Sequence, residues 1–186
     1  TQHSERDLAA SKGPVTPAVI AKVCAWLRNE VGTTEATGHN DGARVEYYIA
    51  LGTKAAREPG LSWCAALALT AYREQGVDIP GNDWAMRRVS TLYEEARKRG
   101  AVLGPDEEAR PGDWVLWLGR NAHASAGPSG HVETVVEVVA DNAFDHAVVT
   151  MLVCVGGNVG NAVKLTSHRE DDPRITAIVR PARMFG

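Results

Sequence analysis

Three residues of this chain are of types that could act together on a carbonyl group, and each stands where a turn leads into regular structure. Cys64 follows Pro59-Gly60-Leu61-Ser62-Trp63 and opens an Ala- and Leu-rich segment that closes on Gly76. That composition and the terminal glycine predict a helix over 63–75, with Cys64 at its start. The partial positive charge at a helix N-terminus favours thiolate over thiol, and thiolate is the form that attacks a carbonyl carbon. The small Ala65 and Ala66 would let a substrate approach. A single cysteine in such a helix is more often buried packing than a nucleophile, so a partner is required.

Gly127-Pro128-Ser129-Gly130 delivers His131 to the start of a valine-rich segment. A base that takes a proton from a thiol needs a rigid backbone and an accessible ring, which a loop-to-strand junction provides. Taken alone, His131 is equally a surface histidine ending a loop. The other five, His3, His39, His123, His146 and His168, lie in polar or loop segments and read as solvent-exposed. Asn158 lies in Gly156-Gly157-Asn158-Val159-Gly160-Asn161, after the next apolar run. In an antiparallel pair that run returns toward His131, so Asn158 could orient the imidazole, the third role in a nucleophile–base triad. The alternative is an asparagine serving a glycine-rich hairpin turn.

These residues need a scaffold of helices followed by strands. Val15 to Val31 carries apolar residues at helical spacing behind Thr16-Pro17, and a shorter helical pattern runs through Val45, Tyr48, Ile49 and Leu51 to a stop at Glu58-Pro59-Gly60. After the turn at Ile79-Pro80-Gly81-Asn82, Trp84 to Arg99 reads as a further helix ended by Gly100. Beyond Arg110 come Trp114 to Leu118, Val132 to Val139, Ala147 to Val155, Ala162 to Leu165 and Thr176 to Arg180, β-branched or aromatic runs parted by turn residues. Helices first and about five strands second predict an α+β domain with an antiparallel sheet. At 186 residues a single domain over 1–186 is expected, with 1–14 as a flexible lead and a core over about 15–183.

Composition narrows the function classes. The 44% hydrophobic and 23% charged content is that of an ordinary globular chain, and the net charge of −3 with scattered basic residues argues against nucleic acid as a partner. No run approaches the ~18 apolar residues of a membrane span, so no membrane insertion is expected. The polar stretch Thr1 to Pro17 lacks the features of a signal peptide. Cys24, Cys64 and Cys154 form no disulfide framework or zinc spacing, and no metal or cofactor is expected.

Together, Trp63-Cys64-Ala65-Ala66, Arg110-Pro111-Gly112-Asp113-Trp114-Val115, Gly130-His131-Val132 and Gly156-Gly157-Asn158 before Asn161-Ala162-Val163 resemble the CHAP branch (cysteine, histidine-dependent amidohydrolase/peptidase) of the NlpC-like peptidoglycan hydrolases. The resemblance runs over about 30–180 and takes in Glu30-Val31-Gly32-Thr33-Thr34-Glu35 and Asn40-Asp41-Gly42 as a helical lead-in. It implies a papain-like α+β fold, Cys64 as nucleophile, His131 as base, Asn158 as orienting residue, and peptidoglycan as substrate. It further implies an amidase or peptide endopeptidase acting at the bacterial cell wall as a monomer, with an immunity or inhibitor protein as partner if the chain is an effector. A silent wall-binding module of the same fold, and a hydrolase of some other amide, are the alternative readings.

The chain departs from that pattern in three places. Many CHAP domains carry Gln just before the cysteine, where this chain has Trp63, so Trp63 and Ser62 become candidates for oxyanion or substrate contacts beside the Cys64 backbone N–H. Many carry Glu two residues before the asparagine, where this chain has Gly156. The Asp-rich calcium loop of some members is replaced by Glu58-Pro59-Gly60-Leu61-Ser62, and no calcium site is expected. Trp114 and Trp117, three apart on a strand, should face opposite sides, one as core and Trp117 as a candidate groove residue. Asp113, Glu133 and Glu137 read as solvated acids.

Overall fold

The Thr16 hydroxyl accepts the backbone N–H of Val19 at 3.3 Å, and Pro17 follows at the first helical turn, where a missing N–H breaks no helical bond. These two residues start helix α1 (Pro17–Glu30), which buries Val23, Cys24, Leu27 and Glu30. The computed structural model describes residues 14–54, 60–77, 85–119, 122–141 and 149–185. Most of the expected lead, the Glu58-Pro59 stop, the turn at 79–82, Trp84, His3, His146 and Ala147 lie outside the described residues.

Helix α2 (Ala43–Thr53) packs on α3 (Cys64–Arg73), and Cys64 is the first residue of α3, as the turn and the glycine stop predict. The segment expected as one helix over 84–99 is broken. Ala85–Arg87 form a single 3-10 turn, Arg88 is extended, and α4 (Val89–Lys98) follows. The break places both Met86 and Val89 in the core, and Ser90 N–H donates to Ser129 O at 3.1 Å, tying the start of α4 to the loop before His131.

Five strands follow: β1 (Trp114–Trp117), β2 (His131–Asp141), β3 (Val149–Gly156), β4 (Lys164–Arg169) and β5 (Ala177–Val179). They form one antiparallel sheet in the order β4-β3-β2-β1-β5. The chain is therefore an α+β fold with its helices N-terminal and its strands C-terminal. Among the described residues no helix is long and apolar enough to cross a membrane.

The sheet separates two cores. Its helix-facing side buries Trp114, Leu116, Val132 and Val136 against α1 and α3, and the opposite face buries Val115, Trp117, Val135, Leu152 and Cys154. Trp114 and Trp117 do point to opposite sides, as a three-residue spacing on a strand requires, but both are core, with Trp117 only 1% exposed. The groove role expected of Trp117 gives way to packing under a group of histidines.

Helices α2 and α3 approach so closely at Gly52 that an added Cβ would lie 2.2 Å from the Ala66 carbonyl oxygen and 2.7 Å from Thr70 Oγ1. Backbone cannot yield as a flexible side chain does, so the absence of a side chain at 52 sets the seat of the helix that carries Cys64. Gly52→Ala should destabilise the fold by about 1–3 kcal/mol through overpacking. Chemical denaturation of the variant beside the parent chain checks this, and an unchanged midpoint would show that the helices slide apart freely.

Candidate active site

Strand β2 alternates its side chains, so His131, Glu133 and Val135 share the face opposite the helices. Across the ladder, His131 pairs with Trp117, and Glu133 lies between Val115 on β1 and Gly156 on β3. His131 Nε2–H donates to Glu133 Oε1 at 3.1 Å, and both side chains are fully buried. The other ring nitrogen, Nδ1, meets no hydrogen-bond criterion among the described residues, and Cys64 is the group beside the ring that couples to it electrostatically.

Cys64 and His131 shift each other. Burial pushes the Cys64 thiol up, but hydrogen bonding and charge from His131, with backbone N–H groups of Val132 and Ala65, bring it below its ordinary value. Burial also disfavours the charged imidazole, yet Cys64 and Glu133 on either side raise His131 to about 9. Desolvation would raise Glu133 as well; the hydrogen bonds from His131 and His168 win and hold it at about 2. These shifts run in the direction of a thiolate–imidazolium pair backed by an ionised carboxylate.

Glu133 is the residue that sequence reasoning missed. It is no solvated acid: besides His131, it accepts from His168 Nε2 at 2.9 Å and from the Thr166 hydroxyl, and His123 Nε2 lies 3.7 Å away. His123 and His168, read from the sequence as exposed, are thus mostly buried around it. His123 stacks on His131 with ring centroids 4.5 Å apart, and Trp117 packs against His123 and His168 at 4.7 and 4.8 Å. Burial and the neighbouring His131 charge push His123 down to about 4. Asp113, also read as solvated, is buried and ion-paired to Arg180 at 2.9 Å, while Glu137 is exposed.

Asn158 stands elsewhere. Its side-chain amide donates to Asn40 Oδ1 at 2.9 Å, and its backbone is left-handed with φ 60°, a conformation asparagine tolerates. The orienting position expected of Asn158 is occupied by Glu133. Gly156 makes that arrangement fit, because a Cβ there would lie 2.7 Å from Glu133 Cγ and 2.9 Å from its Oε1. The volume at position 156 is filled by a carboxylate arriving from the neighbouring strand.

Beside Cys64, Trp63 is fully buried and its indole N–H donates to Glu35 Oε1 at 2.8 Å, so it is already engaged and offers nothing to an oxyanion. Glu35 also accepts Asn40 N–H at 2.9 Å, which links the 33–42 segment to the start of α3. Ser62 is exposed. No side chain caps α3, which leaves the Cys64 N–H at the helix start as the oxyanion donor that the local geometry offers.

No protein-family model, curated protein or solved structure matches this chain.

The three thiols differ sharply in environment. Burial pushes Cys24 up and Cys154 well up, and only Cys64 is lowered. Iodoacetamide at pH 6 should therefore modify Cys64 well ahead of Cys24 and Cys154 when read by peptide mass spectrometry. Equal, slow modification of all three would show that the His131 coupling does not activate the thiol.

Proposed function

We propose that the chain is a cysteine hydrolase that cleaves an amide bond of peptidoglycan through a thioester. One observation carries the chemistry: Cys64 opens a helix beside a histidine whose far nitrogen is held by a buried carboxylate. The Cys64 thiolate attacks the amide carbonyl carbon, and the oxyanion is met by the Cys64 backbone N–H, a contact of roughly 3 kcal/mol in hydrolases of this mechanism. The imidazolium of His131 gives its Nδ1 proton to the leaving amine. Water, deprotonated by the now neutral ring, then attacks the thioester and returns the thiol.

Glu133 fixes the proton on Nε2, so that Nδ1 faces the sulfur with the correct capacity at each step. The choice of peptidoglycan rests on the resemblance of the Trp63-Cys64-Ala65-Ala66, Gly130-His131-Val132 and Gly156-Gly157-Asn158 stretches to CHAP domains. That resemblance also supports a papain-like arrangement and a site of action at the bacterial cell wall, as either an amidase or a peptide endopeptidase.

Cys64→Ala should abolish release of fragments from purified peptidoglycan while circular dichroism stays that of the parent chain. Mass spectrometry of the digest and its new amino termini would name the bond cut. Undiminished digestion by Cys64→Ala would exclude the thioester route, and inert parent protein would favour a silent wall-binding module.

The two candidates for the orienting role separate cleanly. Glu133→Gln should lower kcat by about 10²–10⁴-fold, as loss of the orienting carboxylate does in a serine triad. Asn158→Gly, which keeps the left-handed backbone, should retain most of the activity. The reverse ranking in a steady-state assay would return the role to Asn158.

A further inference from the structure

Glu133 gathers more imidazole than a triad uses. His131 alone suffices to orient a base, yet His168 and His123 converge on the same carboxylate from β4 and from the 122–130 loop. A ring nitrogen of His123, a ring nitrogen of His168 and a Glu133 oxygen all lie within 4.8 Å of one another. We propose that these three residues bind a divalent transition-metal ion of the zinc type. The site goes beyond the hydrolytic reading and does not depend on it.

The donor set is the first argument. Two imidazole nitrogens and one carboxylate oxygen form a set that suits zinc and its first-row neighbours, whereas calcium and magnesium prefer oxygen alone. Distance is the second. Ligands about 2.0–2.2 Å from a tetrahedral ion stand about 3.4 Å apart. His168 Nε2 lies 2.9 Å from Glu133 Oε2 and His123 Nε2 lies 3.7 Å from Glu133 Oε1, and the whole set spans no more than 4.8 Å, so ring rotation and a turn of the carboxylate bring the three ligands to that spacing.

Support and access complete the case. Thr166 donates to the carboxylate and Trp117 packs on both outer rings, so the ligands are already oriented by their surroundings, as the outer contacts of metal sites do. Glu133 is fully buried, while His123 and His168 keep 14% and 13% of their side-chain surface, and an ion enters between those two edges. The ion takes the place of the proton between His168 Nε2 and Glu133 Oε2. His168 then carries its single proton on Nδ1, and a water molecule completes the coordination.

The test is calorimetric titration of Zn²⁺ into the full chain bearing Cys64→Ala, which removes the competing thiol. One ion per chain is expected, with affinity falling about tenfold or more in His123→Ala and again in His168→Ala. Absence of stoichiometric binding, or affinity indifferent to both substitutions, overturns the site. A second measurement covers the case in which His168→Ala fails to fold. Co²⁺ added to the Cys64→Ala chain should give a tetrahedral-type visible spectrum and broaden the NMR imidazole signals of His123 and His168 most strongly. Broadening confined to His3, His39 or His146 overturns it as well.

Discussion

A carboxylate with no exposed surface holds this site together. Removing Glu133 from water would by itself favour the neutral acid, and an unpaired charge there would cost several kcal/mol. The cost is met by gathering donors: His131, His168 and the Thr166 hydroxyl all point at its two oxygens. Because those donors come from the start of β2 and the middle of β4, the carboxylate fixes the register of the sheet at the point where His131 must meet Cys64. Breaking the pairing in any strand between them would leave a buried charge without partners, so the sheet and the site stand or fall together.

The helices supply the other half of the geometry. Cys64 owes its position to α3, and α3 owes its seat to the close approach at Gly52 and to the packing of Trp63 beneath Gly157, whose absent side chain leaves room for the indole. The Trp63–Glu35 hydrogen bond and the Asn40–Asn158 pair then connect the lead-in segment, the helix start and the turn after β3. Trp63, Asn40 and Asn158 therefore belong to the frame around Cys64. For Trp63 and Asn158 the sequence suggested a more direct part.

Much of the fold was legible because its signals are local. The caps and stops around α1 and α3, and the alternation of turn residues with β-branched runs, depend on neighbours in the chain, and so did the placement of Cys64 and His131 at element starts. The helix expected over 84–99 failed because the break at Arg88 answers to the core and to Ser129, neither of which is near in sequence. Glu133 had a readable signal: its spacing of two from His131 on a strand puts both on one face. What could not be read was that this face is covered by a second core, since that depends on β3, β4 and the loop after β1. His123 and His168 were missed for the same reason, being 45 residues apart and joined only by the sheet.

Gly156 and Glu133 face each other across adjacent strands, and there is room for one carboxylate between them. A carboxylate carried at position 156 would reach the same volume from β3. The two positions are alternative origins for a single charge, and an acidic residue at one requires a small residue at the other. The unit under selection would be an occupied space beside the histidine, and the strand that fills it is free to change.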